Sequence, residues 1–201
     1  METTKNIIES LLFVSDGPLT VDQIKTVLAD IPAADIRRAI NDLASDYEAR
    51  EGPIFVHEVA GGYQLRTRPE YKQYIHKLKD PAPVRLSRAA METLAIVAYR
   101  QPVLRSEVEH IRGVNSGNTL RFLQEKKLIR VLGRREVPGR PLVYGTTKKF
   151  LETFDLNEIK DLPKPEEIEE AVRPSPKPKT NYQTPDLPLE APDPADFENN
   201  A

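Results

Sequence analysis

Cysteine is absent from the 201 residues. Disulfides, thiolate nucleophiles and cysteine-ligated zinc or iron–sulfur centres are thereby excluded, and each folded unit must hold itself by packing. No apolar run approaches the ~18 residues that a membrane-spanning helix needs. The opening METTKNIIES lacks the charged-then-apolar plan of a signal peptide, so the expected address is the cytoplasm. No G-x-x-x-x-G-K-[ST] or G-x-G-x-x-G occurs, hence no glycine-rich cradle for phosphates. An excess of either charge is also missing, with 29 Lys plus Arg against 31 Asp plus Glu.

The near-neutral total hides three unlike segments. Residues 1–80 hold 10 basic and 13 acidic groups, 81–160 hold 15 and 8, and 161–201 hold 4 and 10. Nine of the 18 prolines also fall within 161–201. That segment has too little apolar surface to offset its chain entropy, and is expected to be a disordered, acidic, proline-rich tail.

Within 1–80, Ile7, Ile8, Leu11 and Leu12 repeat at helical spacing until Gly17-Pro18. Thr20 with Gln23 has capping-box form and opens a short second helix bearing Val21, Ile24, Val27 and Leu28. Ile36, Ile40, Leu43 and Tyr47 mark a longer third helix, closed by Glu51-Gly52-Pro53. IFVHEVA and YQLRTR read as strands joined by Gly61-Gly62, and Pro69 starts a helix whose face is Tyr71, Tyr74, Ile75 and Leu78. The order recurs downstream: shifting by 84 positions lays Pro18 on Pro102, Ile24 on Val108 and Ile36 on Leu120. IRVLGRREV and PLVYGTT form the second hairpin around Pro138-Gly139, a pair suited to a type II turn, and Thr146-Thr147 open a last helix, Lys148 to Phe154. Three helices followed by a hairpin is the winged-helix plan. The expected fold is therefore mostly α with small β-hairpin wings (α+β): tandem winged-helix domains over 1–80 and 81–160, then the tail over 161–201.

Catalytic chemistry finds no footing. His57, His76 and His110 lack metal-ligand spacing, and the serine of Gly113-Val114-Asn115-Ser116-Gly117 stands one place too late for a nucleophile elbow. Asn115 or Ser116 instead suits the N-cap of the following helix. The protein reads as no enzyme, with no cofactor and no metal. Arg121, Lys126, Lys127, Arg130, Arg134, Arg135 and Arg140 cluster on the third helix and wing of the second unit. The first six are candidate nonspecific DNA contacts, or else the cluster is a solvated basic face. The equivalent helix of the first unit carries Asp35, Asp42, Asp46 and Glu48 beside Arg37 and Arg38, and those acids oppose phosphate binding. The run Leu94 to Ala98 exceeds one core-facing stripe, so that helix is either a buried centre or also presents an apolar groove to a partner. Phe13 and Val14 lie outside the main stripe of the first helix and, with Ile7 and Leu11, offer a surface for self-association.

METLAIVAYRQPV, EVEHIRGVNS and GRREVPGRPLVYGTT resemble signature segments of the ScpB family of bacterial segregation and condensation proteins. Family-like features span roughly residues 5–155 and are most specific in the second unit. The resemblance implies a non-catalytic homodimer that binds ScpA, the kleisin bridging the heads of an SMC ATPase, with chromosomal DNA reached indirectly or weakly at the nucleoid. It places the dimer surface in the first domain. Glu92, Leu94, Ala95, Tyr99, Arg100, Gln101, Arg112, Asn115, Arg140 and Tyr144 become candidates for the structure or surface of a kleisin-binding second domain. Pro102, Gly113 and Pro141 belong to the same motifs, with Pro102 as a helix stop and Gly113 as a turn residue. One departure is Leu104, where family members often carry a threonine able to cap the next helix. The alternative is a winged-helix DNA-binding transcriptional regulator.

Overall fold

Why the first helix stops where it does is visible in its neighbours. In the computed structural model, which describes residues 2–79, 86–164 and 167, α1 (Glu2–Val14) buries Ile8 and Leu12 and ends before Gly17-Pro18. The expected capping box then opens α2 (Val21–Val27): Gln23 N–H donates to Thr20 Oγ1 at 3.3 Å, and Thr20 N–H donates to Gln23 Oε1 at 2.9 Å. The longer α3 (Ala33–Ala49) lays Ile36, Ala39, Ile40 and Leu43 inward, and the chain reverses at Glu51, whose φ of 49° is left-handed. Strands β1 (Ile54–Val59) and β2 (Gly62–Thr67) pair antiparallel with Val59 opposite Gly62. The turn therefore has Ala60 and Gly61 at its centre, both at positive φ, one residue earlier than the glycine pair implied. Gly62 serves another purpose, since a Cβ there would lie 2.8 Å from the Leu19 carbonyl carbon.

A 3-10 turn at Pro69–Tyr71 leads into α4 (Lys72–Lys79). Its apolar face departs from expectation: Tyr71, Tyr74 and Leu78 are exposed and only Ile75 is half-buried. Amphipathic spacing forms the helix, but among the described residues no core element covers that side.

The second set repeats the order with one addition. Ser87 caps α5 (Arg88–Arg100) through Ala90 N–H, and the chain then forms β3 (Val103–Leu104), α6 (Arg105–Arg112), α7 (Gly117–Glu125), β4 (Ile129–Arg134), β5 (Leu142–Thr146) and α8 (Lys148–Phe154). Strand β3 escapes sequence pattern because two residues carry no periodicity. It pairs with β5 and makes a three-stranded antiparallel sheet in the order β3-β5-β4. Gly139 at φ 84° and the Arg140 N–H to Val137 C=O bond of 2.9 Å give the type II turn that Pro138-Gly139 suggested.

Two hydrophobic clusters fill this winged-helix pair. One joins Ile8, Leu12, Ile24, Ile36, Ala39, Ile40 and Leu43; the other joins α5, α6, α7, the sheet and Phe150 of α8. The expected boundary at 80/81 and nearly all of the expected disordered tail lie outside the described residues.

Candidate functional site

Helix α5 is the axis of the second module. Thr93, Leu94, Val97 and Ala98 face its core, whereas Met91, Ala95 and Tyr99 lie on the exposed side. Leu94, offered as a partner contact, is 1% exposed and is a core residue. Tyr144 on β5 is buried too, within the same cluster. The five-residue apolar run exists because Leu94, Val97 and Ala98 pack inward and Ile96 sits half-buried beside them, so the groove is not made of that run.

At its C-terminal end α5 is tied to the wing by Gln101. Its Oε1 accepts from the Thr146 N–H at 2.7 Å and from the Thr146 hydroxyl at 3.0 Å, joining helix end to sheet. Glu92, Thr93 and Arg112 form a second brace, from α5 to α6. Arg112 Nη1 donates to Thr93 Oγ1 at 3.0 Å and Nη2 to Glu92 Oε2 at 3.2 Å, while Arg88 Nε donates to Glu92 Oε1 at 3.0 Å. These cations, Arg88 first, hold the Glu92 carboxyl below its ordinary range. Arg112 is thus a half-buried strut between two helices.

Between the end of α5, β3 and α6 opens a groove of about 470 Å³, lined by Arg100, Pro102, Val103, Ser106, Glu107, His110 and Ile111. Arg100 is the one residue of the candidate list on its wall. Leu104, lacking a side-chain acceptor, begins α6 with half a capping box: its N–H donates to Glu107 Oε2 at 2.7 Å. The other oxygen of Glu107 accepts from Arg135 Nη1 of the wing at 3.1 Å. Backbone bonding to Leu104, then Arg135, keeps the Glu107 carboxyl ionised to lower pH than usual. Ile111 is the residue that pattern misjudged. Helical spacing sets it on one face with Val108, but Val108 is fully buried and Ile111 is 51% exposed on the groove wall. Spacing of three residues allows both outcomes, and the second core takes in Val108 while Ile111 is left in the groove.

Asn115 and Glu109 organise the next turn. Asn115 Oδ1 accepts from Gly117 N–H at 3.0 Å, and Glu109 Oε1 accepts from Ser116 N–H at 2.9 Å and from Arg105 Nε at 2.8 Å. The Ser116 backbone bond and then Arg105 lower the Glu109 pKa. Because those partners stabilise the carboxylate only in the folded protein, the folded state binds the proton less tightly than the unfolded chain. The contribution is complete above the ordinary Glu value and is lost as the pH falls through the lower, folded value. Glu109→Gln is expected to lower the thermal midpoint at pH 7 and to flatten its fall as the pH drops below the ordinary Glu value of 4.5; an unchanged acid limb of the midpoint–pH curve would refute this role.

The basic cluster is partly neutralised from within. Arg121 pairs with Glu125 at 3.1 Å, Arg135 with Glu107 at 3.1 Å and Arg140 with Glu136 at 3.0 Å, while Arg134 Nη1 donates to the Arg140 carbonyl at 3.1 Å. Lys126 lies over the Phe122 ring at 5.6 Å. Lys127 and Arg130 are exposed beside them. In the first module, Ile7, Phe13 and Val14 of α1 are exposed, whereas Leu11 packs half-buried on the core. Phe13 and Val14, with Glu9, Ser10, Tyr47 and Leu65, line a further groove of about 390 Å³. Among the described residues no cluster of His, Asp or Glu suits a metal ion, and no helix is long and apolar enough to cross a membrane.

Two winged helices, one with an exposed apolar helix end and the other with a groove lined by Pro102, Val103 and Ile111 beside charged side chains, carry surfaces of the kind that binding partners cover. Residues 6–165 match the family model described as segregation and condensation complex subunit ScpB, and the chain belongs to that family. It is 45% identical over 172 residues to segregation and condensation protein B of Syntrophotalea carbinolica, covering 85% of this chain and 86% of that one. The corresponding protein of Moorella thermoacetica is 47% identical over 161 residues, with 80% and 82% covered. Among solved structures, a ScpB N-terminal domain dimer complexed with a ScpA peptide shares 32% identity over 38% of this chain and 95% of that chain, with a TM-score of 0.36.

Proposed function

We propose that the protein is a non-catalytic accessory subunit of an SMC–kleisin complex, acting at the nucleoid in chromosome condensation and segregation. Its first module makes a homodimer and its second holds a segment of the kleisin ScpA. Membership of the ScpB family supports the assignment to the complex, and favours it over a DNA-binding regulator. The observation that carries the docking site is the groove at Arg100, Pro102 and Ile111. Pro102 and Ile111 offer apolar surface to a side chain of the partner, and Arg100 offers a charge to a polar backbone or acidic neighbour. Contact with DNA is then indirect, or confined to the unneutralised cations of the wing.

The test uses purified protein and ScpA from the same host, titrated calorimetrically. Ile111→Glu places a carboxylate on the groove wall without touching the core, and is expected to weaken ScpA binding by roughly thirty-fold or more, as loss of a central contact does. Its unfolding midpoint and native mass stay at the parental values. Parental affinity in Ile111→Glu would remove the groove from the interface, and recovery of neither kleisin nor SMC ATPase with the tagged protein from nuclease-treated host extract would remove the complex itself.

A further inference from the structure

The hairpin of the first module is not a free wing. Its turn residues Val59 and Ala60 are 0% and 7% exposed, although both stand at the tip of a two-stranded ribbon where water would ordinarily reach. What meets Ala60 is the second module. The Ala60 N–H donates to the Leu156 carbonyl at 2.8 Å, and Leu156 packs against the second module's core. Immediately before it, Asp155 ends α8 in the left-handed conformation, φ 58°, and turns its carboxylate toward the hairpin. Asp155 Oδ1 lies 2.7 Å from His57 Nε2 and also accepts from Arg66 Nη1. His57 faces Gln64 and Arg66 faces Phe55 across the ribbon, so alternation puts His57 and Arg66 on one side of it. The Phe55 ring stands edge-on to His57, with centroids 5.6 Å apart, and limits where the imidazole can turn.

We propose that Asp155, His57, Arg66 and the Ala60–Leu156 backbone bond form a latch that holds the two winged-helix modules in one closed arrangement, and that opening it lets them move as separate bodies. One carboxylate serves two donors on different strands, so a single change removes the side-chain part of the latch. His57 and Arg66, rather than water, hold the Asp155 carboxyl below its ordinary range, in agreement with that geometry. All three side chains retain solvent access, at 25%, 28% and 58%, so the latch is weak enough to open and is sensitive to salt. In the closed arrangement the first wing is engaged by its own chain and is unavailable to a nucleic-acid groove. This inference concerns the coupling between modules and does not depend on which partner fills the groove at Ile111.

The absence of cysteine makes the test direct. Thr26→Cys in α2 and Asn118→Cys in α7, both exposed and away from the latch, take spin labels for distance measurement by double electron–electron resonance. Labelled protein is exchanged into a large excess of unlabelled protein, so that a dimer carries at most one labelled chain, and the parent is then expected to give one narrow distance distribution. Asp155→Asn keeps the left-handed position comfortable, because asparagine tolerates it, while removing the charge. It is expected to raise the open-to-closed ratio by about five-fold, seen as a second, displaced population. The charge-exchanged pair Arg66→Asp with Asp155→Arg should return most molecules to the closed distance. A broad parental distribution, or an Asp155→Asn distribution that superimposes on a narrow parental one, overturns the latch. Thermal melts of each labelled variant confirm that both modules are folded during the measurement.

Discussion

Leu94→Asp abolishes the folded second module while leaving the first intact. The side chain is 1% exposed in the middle of α5, in contact with the cluster that includes Val97, Val108, Leu120, Leu123 and Tyr144. The substitution removes a buried leucine, costing about 2–5 kcal/mol, and obliges the core either to hold an unpaired carboxylate or to protonate it, which adds several kcal/mol more. A domain has only about 5–15 kcal/mol in total, so the second core cannot absorb the sum. The first core shares no member with it. Heteronuclear NMR is expected to show native shifts for residues such as Ile24 and Ile40 and collapsed dispersion for those such as Val108 and Leu123. Ala95→Asp, one position along on the exposed side, is expected to give a parental spectrum. A parental spectrum from Leu94→Asp would mean that α5 is rotated and that Leu94 faces solvent.

This contrast also marks how far the sequence could be read. Local chemistry was legible. The Thr20–Gln23 capping box, the turn at Pro138-Gly139 and the repeated helix-helix-helix-hairpin order follow from residue types and spacings a few positions apart. Features that depend on which distant segment arrives beside a residue were not. Ile111 and Val108 have the same chemistry and the right spacing, yet Val108 joins a core assembled from α5, α7 and strands up to 40 positions away, and Ile111 is left in the groove. The same holds for α4, whose apolar face has ordinary helical spacing but receives no cover within the described residues. The bonds of Asp155 to His57 and Arg66 span 98 and 89 positions, and no local pattern announces them. Arg112 was legible only as a motif residue. Its work as a strut to Thr93 and Glu92 required the crossing of α5 and α6.

Phe13→Arg converts the proposed homodimer into a monomer without destabilising the fold. Phe13 is 77% exposed at the end of α1, outside the stripe of Ile8 and Leu12, so its ring adds little to the core. An isologous interface needs one patch that complements itself, and this patch holds both a projecting ring and a groove of about 390 Å³ beside Tyr47 and Leu65. Tyr47 is fixed there by donating its hydroxyl to Glu9 Oε1 at 2.6 Å, and burial, then the bond to Glu9, raises its pKa. Burying one phenylalanine contributes about 1.5–3 kcal/mol, and two-fold symmetry counts it twice. The dimer dissociation constant should therefore rise by roughly 10²- to 10⁴-fold, before any penalty for burying guanidinium is added. Light scattering behind size exclusion at micromolar protein is expected to report half the parental mass, with an unchanged melting curve. The exposed face of α4 supplies the comparison. If Phe13→Arg stays dimeric while Tyr74→Arg dissociates, the two-fold axis passes through α4, and the apolar end of α1 is left for a different partner.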